Sequence, residues 1–277
     1  MSVTIVIPTL NSCNTLEKCI KSIKSQSLKP DELIIVDGGS ADKTINICKK
    51  YNVVFFKCTK GLAAQSNLGI VKSKGEFIAF LDSDCIAEKY WLETLYNSIK
   101  SKNIIAVGGR LKETFTEGLS DKWRTQHMNQ DWGAKKRIDI PFLFGCNFLC
   151  KKWIFNYIGK FCVKYDSNYE DVDFFKRIKD RKLKIMYNPH AECYHLKKDS
   201  LNSVMATNYK WQYHAYPLPK NVRNLLLRLT IYNPYKTFRY LIKDILSYNL
   251  SLLLYDFFMY FYHCFYDIKK YLFSLSH

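Results

Sequence analysis

Four short apolar runs constrain this chain more than anything else in it. Residues 3–7 read Val-Thr-Ile-Val-Ile, 33–36 Leu-Ile-Ile-Val, 53–56 Val-Val-Phe-Phe and 77–81 Phe-Ile-Ala-Phe-Leu. Strands this uniformly apolar are covered on both faces, and the stretches between them carry helical spacing. After the first run, Asn14 or Thr15 can cap a helix with Leu16, Cys19, Ile20 and Ile23 on one face. Further helices are predicted from about Asp42 and over 62–71. Strand-helix-strand repetition of this kind predicts an α/β fold with a mostly parallel sheet flanked by helices. Such sheets bind ligands beyond the carboxyl ends of their strands. Asn11, Asp37 and the pair Asp82/Asp84 each fall just past such an end.

The run at 77–81 ends in Asp82-Ser83-Asp84. Two carboxylates at the rim of a sheet are costly to leave unpaired, and a hard divalent cation carrying a phosphate on its far side would pair them. The plain alternative is two solvated aspartates in a turn. The charge balance, 42 Lys and Arg against 25 Asp and Glu for a net +17, calls for an anionic partner. The basic residues are scattered, with small clusters at Lys135-Lys136-Arg137 and Lys197-Lys198, so nucleic acid is not the partner expected. Ten cysteines contain no C-x-x-C pair, and several sit in apolar runs. They read as reduced small hydrophobes of a cytosolic protein, not as a disulfide or zinc framework. The chain enters its first strand at once, and no secretory signal is expected.

Past Arg110 the pattern changes. Residues 111–140 are polar, hold Trp123 and Trp132 without periodicity, and read as a long excursion or lid. Residues 141–149 are strand-like again, with Gly145 allowing close approach to the backbone. Glu170-Asp171 opens a helix with Val172, Phe175 and Ile178 on one face; 183–187 read as a strand, followed by His190 and His195. From 218 the chain is rich in Leu, Tyr and Phe. Its apolar stretch is broken by Asp256 and His263, so a spanning helix is not expected. On a helix Leu250, Leu253, Leu254, Phe257, Phe258, Phe261 and Phe265 share one face, and Asn249, Asp256, Tyr260, His263 and Asp267 another. This C-terminal amphipathic helical tail carries eight Lys and Arg against three Asp. It can lie in a membrane interface, or pack on the rest of the protein or on a second copy.

Taken together, Ile7-Pro8-Thr9-Leu10-Asn11, Val36-Asp37-Gly38-Gly39-Ser40, the stretch 61–69, Asp82-Ser83-Asp84, Gly145-Cys146-Asn147, Glu170-Asp171 and the late His195 resemble the family 2 glycosyltransferases of GT-A fold, over roughly residues 1–215. The resemblance implies a catalytic domain over 1–217, with a nucleotide-binding half (1–110) and an acceptor-binding half (111–217), ahead of a tail over 218–277. Pro8, Thr9, Asn11, Asp37, Gly39, Asn67, Asp82 and Ser83 would bind the donor. Asp37 would accept from the base, unless it only closes the turn before Gly38-Gly39. Asp84, Asp82 and His195 would hold Mn2+ or Mg2+, the imidazole favouring manganese. His190 competes with His195 for that place. Asp171 would be the catalytic base of an inverting transfer, and a helix N-terminus favours such acids in any case. Glu170, Gly145 and Asn147 would line the acceptor side. Lys197, Lys198 and Lys210 would hold the diphosphate, or be solvated.

The implied partners are a UDP- or GDP-sugar donor and a glycan or lipid-linked acceptor. The implied place is the cytoplasm, with peripheral contact at the inner face of the cell membrane if the tail binds lipid. Two departures qualify the resemblance. Ser66 stands where many relatives carry arginine, and the Q-x-x-R-W segment of processive synthases is absent, so one sugar per encounter is expected. A nucleotidyltransferase would place a Gly-rich basic loop where this chain has Pro8-Thr9-Leu10-Asn11. A non-catalytic adaptor of the same fold would be expected to have lost Asp84 or Asp171, and both are present.

Overall fold

A computed structural model describes residues 2–100, 103–138, 140–165 and 168–275. The strands are β1 (Val3–Thr9), β2 (Glu32–Asp37), β3 (Val54–Lys57), β4 (Phe77–Leu81), β5 (Cys85–Ala87), β6 (Ile104–Glu113), β7 (Asn147–Lys151) and β8 (Lys184–His195). The helices are α1 (Leu16–Lys24), α2 (Thr44–Lys50), α3 (Leu62–Lys72), α4 (Trp91–Ile99), α5 (Leu119–His127), α6 (Ile154–Tyr157), α7 (Glu170–Asp180), α8 (Leu201–Tyr213), α9 (Val222–Leu227), α10 (Asn233–Leu246) and α11 (Leu253–Leu275). The chain forms two compact units, residues 1–114 with 130–197, and 115–129 with 198–277.

The first unit holds one eight-stranded sheet in the order β3-β2-β1-β4-β7-β6-β8-β5. β1 to β4 run parallel, β7 is antiparallel to β4 and β6, β8 is parallel to β6, and β5 is antiparallel to β8. Alternation along β1 sends Val3, Ile5 and Ile7 to one core with Leu16, Ile20, Trp91 and Leu95, and Val6 to the other with Ile34, Ile78, Phe148 and Phe175. That two-sided burial is why the strands carry no polar alternation. The predicted face of α1 is the buried one: Leu16, Cys19, Ile20 and Ile23. Each aliphatic side chain there stabilises by about 1.5–3 kcal/mol. The backbone of α3 rests on β1 at Gly69, where a Cβ would lie 2.3 Å from Val6 Cγ1. α2 starts at Thr44, because Asp42 Oδ1 accepts from the Thr44 N–H at 2.9 Å and caps the helix from outside.

Three expectations are corrected. Residues 111–140 are not a lid: β6 runs on to Glu113, and α5 buries Trp123 completely in the second unit. The strand expected over 141–149 is confined to β7; ahead of it Trp132, Phe142 and Phe144 pack ring on ring. The strand expected over 183–187 continues to His195, and its Pro189 lies in a gap of the β6–β8 register, between Gly108↔Tyr187 and Arg110↔Glu192. A proline can sit there because no ladder hydrogen bond is asked of it.

The second unit also begins earlier than the change in composition at 218. It comprises α5 and α8 to α11, with an apolar cluster of Trp123, Met128, Val204, Met205, Leu252 and Met259. The polar face of α11 points inward. Asp267 pairs with Arg228 at 2.9 Å, His263 Nδ1 lies 2.7 Å from Lys236 Nζ, and Asp256 Oδ1 accepts from Trp123 Nε1 at 2.8 Å. Leu254, Phe257, Phe258, Phe261 and Phe265 are exposed on the other side. Among the described residues no helix is long and apolar enough to cross a membrane.

Candidate active site

A tight turn joins β4 to β5, with the Cys85 N–H donating to Asp82 O at 3.1 Å, and it holds both aspartates at the sheet rim. The register then decides what stands beside them. Cys85 is opposite His195 across β5 and β8, and Glu113 is opposite His195 across β6 and β8. His195 Nε2 is 3.2 Å from Asp84 Oδ2, and its Nδ1 is 2.8 Å from Glu113 Oε2. Burial alone would lower the imidazole, but the two carboxylates outweigh it and raise His195 to about 9. For Asp84 burial works upward, and the His195 hydrogen bond, the His195 charge and Lys197 outweigh it, leaving the carboxyl below its usual range. Asp82 takes the opposite course: burial and the adjacent Asp84 charge push it up to about 7.

Glu170 and Asp171 stand at the first turn of α7. The chain enters that turn through Asn168 at φ 57° and Tyr169 at φ 104°, a strained conformation for a tyrosine, of the kind that persists where the surroundings enforce it. Asp171 Oδ2 accepts from the Gly145 N–H at 2.9 Å, and Oδ1 from the Val172 N–H at 2.7 Å. A Cβ on Gly145 would lie 3.3 Å from that Oδ2, so a bare glycine lets the loop reach the carboxylate. Burial raises Asp171 above its usual value against the pull of those two N–H groups, and burial together with the Asp171 charge pushes Glu170 up to about 8. Asp171 also raises Asp82, so the rim and the head of α7 form one electrostatic site.

Farther along the sheet, Thr9 and Asp37 are paired across β1 and β2. Asp37 makes the turn: its carboxylate accepts from the Gly39 N–H at 3.1 Å, the Ser40 N–H at 3.0 Å and Ser40 Oγ. Asn11 reaches the same loop, Oδ1 accepting from the Ala41 N–H at 2.9 Å. Pro8 and Thr9 are buried in β1, Gly39 is exposed at φ 93°, and Ser83 Oγ is 2.8 Å from Ser12 Oγ.

Two sequence-derived contacts are corrected. Asn147 does not line an acceptor surface. It is fully buried, with Oδ1 accepting from Trp91 Nε1 at 2.7 Å and Nδ2 donating to the carbonyls of Arg110 and Ala191. Asn67 is spent on the backbone of Phe161, donating to its carbonyl at 2.9 Å and accepting from its N–H at 3.0 Å. Of the histidines, His195 takes the rim, while His190 is exposed. Lys197 lends positive charge to Asp82 and Asp84, whereas Lys198 and Lys210 are exposed residues of the second unit. Sequence reasoning missed Glu113, since it lies in a stretch without periodicity and only the register reveals it. It also missed Gln65, whose Nε2 donates to the carbonyls of Thr9 and Val36, both at 2.8 Å, and ties the ends of β1 and β2 together.

Residues 4–170 match the model of glycosyl transferase family 2. The chain is a member of that family. It is 30% identical over 125 residues to Glycosyltransferase AglE of Haloferax volcanii, a match covering 42% of this chain and 41% of AglE. It is 27% identical over 225 residues to an uncharacterized glycosyltransferase of Haemophilus influenzae, covering 77% of this chain and 87% of the other. Among solved structures it resembles the mannosyltransferase PcManGT from Pyrobaculum calidifontis, in complex with GDP-Man and Mn2+, with a TM-score of 0.59 at 16% identity over 75% of this chain and 60% of that one. It also resembles residues 1–349 of S. aureus TarS in complex with UDP, with a TM-score of 0.56 at 20% identity over 76% of this chain and 64% of that one. The family 2 chain thus has the GT-A fold expected from its motifs, with a mixed, mostly parallel sheet. The matched stretch spans less than half of AglE's own length.

Proposed function

We propose that this family 2 chain transfers one sugar, with inversion and with the help of a divalent metal, from a UDP- or GDP-sugar to a hydroxyl or phosphate of a glycan or lipid-linked acceptor. The observation that carries the reading is the His195 bridge between Asp84 and Glu113 beside Asp82, within electrostatic reach of Asp171. Two carboxylates and one imidazole fit Mn2+ or Mg2+, and Asp82 raised to about 7 by burial and by Asp84 is what a carboxylate pair without its counter-charge displays. Glu113 fixes the far nitrogen of His195, as outer carboxylates do for ligating imidazoles. A bound ion would supply neutralisation of the charge that builds on the departing diphosphate.

The protein's own groups do the rest. Asp171 takes the proton of the acceptor hydroxyl on a carboxylate oxygen, and burial makes it a better base than a solvated aspartate. The Gly145 N–H keeps that carboxylate in place. Glu170 adjoins it on the acceptor side. Pro8, Thr9, Asn11, Asp37, Gly39 and Ser83 border the nucleotide, with Lys197 offered to the diphosphate. The nucleotides bound by PcManGT and TarS support a donor of this class. Incubating the chain and Mn2+ with a panel of UDP- and GDP-sugars is expected to release nucleoside diphosphate from at least one. Neither release nor a thermal shift with any member would end the reading.

The second unit supports peripheral membrane contact. All three acids past residue 218, Asp244, Asp256 and Asp267, are buried, while Lys220, Arg223, Arg239, Lys243, Lys269 and Lys270 are exposed. The exposed surface of α9 to α11 therefore offers only positive charge beside Leu226, Phe238, Ile245, Phe257, Phe261 and Phe265. Apolar side chains ringed by basic ones suit an anionic lipid interface. The full chain is expected to float with phosphatidylglycerol-containing vesicles, and its Phe257→Ser/Phe261→Ser/Phe265→Ser variant to stay at the bottom of the gradient. Equal flotation of the two removes the membrane contact.

A further inference from the structure

A second cluster of metal-binding groups lies in the helical unit, apart in composition from the acidic rim. His127 ends α5, Asp244 is in the last turn of α10, and Asp256 is in the first turn of α11. One ligand atom from each lies within 4.8 Å of the others. The side chains of His127 and Asp244 are 1% and 0% exposed, and Asp256 is fully buried.

The hydrogen bonding there is incomplete. His127 Nε2 is 2.7 Å from Asp244 Oδ1, and Trp123 Nε1 donates to Asp256 Oδ1 at 2.8 Å. The remaining oxygens, Asp244 Oδ2 and Asp256 Oδ2, are sealed from solvent with no hydrogen-bond partner. Leaving one carboxylate oxygen buried and unmet is costly, and leaving two side by side is more so. The neighbouring cation does not meet them: Lys243 Nζ donates to Gln126 O, and Gln126 Nε2 to Ser247 Oγ at 2.8 Å. His127 brings the one imidazole of the cluster against Asp244. Two carboxylates and one imidazole are the donor set that the cluster offers.

We propose that His127, Asp244 and Asp256 form a structural site for a divalent transition-metal ion, Zn2+ by first choice, which ties α5, α10 and α11 together. One nitrogen and two oxygens suit a four-coordinate ion whose last position is taken by water or by a second oxygen of one carboxylate. More than a hundred residues of chain separate α5 from α10 and α11, so an ion held by all three would bind the folded unit and not the unfolded one. The rival account of the same geometry is one proton shared between Asp244 and Asp256.

The full chain, stripped with a chelator, is titrated with Zn2+ by calorimetry and with Co2+ by visible absorption. His127→Gln is expected to lower the number of bound equivalents by one, whatever the rim retains, and Asp84→Ala is expected to keep the equivalent that His127→Gln loses. At a hundredfold excess of Zn2+ over Kd, Tm should rise by about 5 °C or more in the Asp84→Ala chain and not in the His127→Gln chain. An unchanged count in His127→Gln, or an Asp84→Ala chain that binds neither ion and melts at the same temperature with and without Zn2+, would overturn the site. In the second case, an Asp244→Asn chain that folds and melts no lower than its parent would assign the cluster to the shared proton.

Discussion

Asp171→Asn is expected to reduce sugar transfer by about 10²–10⁴-fold, the range that a positioned base contributes, while donor affinity stays within about twofold. The variant should fold. Asparagine keeps an oxygen for the Gly145 or Val172 N–H, and removing the charge relieves Glu170 and Asp82, both of which Asp171 now raises. Single-turnover assays under saturating donor, beside a direct measurement of donor binding, separate the two quantities. Near-normal turnover would remove Asp171 from the base position, and loss of donor binding would move it to the nucleotide side.

Asp84→Ala should weaken metal-dependent donor binding by about 100-fold or more, since outer partners of metal ligands alone account for 10–100-fold. Its carboxylate is the group that His195 Nε2 meets, and it is a main cause of the upward push on Asp82. Without it Asp82 relaxes toward an ordinary carboxylate, so the cost falls on binding and not on folding. Donor titrations with and without Mn2+ give the measurement. Donor binding that stays Mn2+-dependent and equally tight would show that the ion, if one is used, sits elsewhere.

Much of the first unit was legible because its signals are local. Fully apolar runs of strand length have few alternatives to a sheet covered on both faces, and the turn residues after them mark its carboxyl rim. The head of α7 could be read for a similar reason, because acids at a helix start are favoured whatever else they do. What failed were inferences that needed a partner distant in sequence. In sequence Asn147 resembles an acceptor contact, but Trp91 from α4 and the carbonyls of Arg110 and Ala191 consume its amide. Trp123 lies in a stretch whose pattern suggests a lid, but helices from the end of the chain cover it. Glu113 was not singled out at all, since nothing in its own stretch distinguishes it.

The sequence by itself determined the sheet and the carboxylates along its rim, because apolar continuity and a charge after a strand are properties of consecutive residues. Only the tertiary structure decided that His195 and not His190 meets Asp84, that Glu113 holds that histidine from behind, and that the tail turns its acids inward. Those outcomes depend on strand register and helix packing. A shift of one residue in register would have put different side chains at the rim, and the local pattern of a strand does not report which neighbour it will pair with.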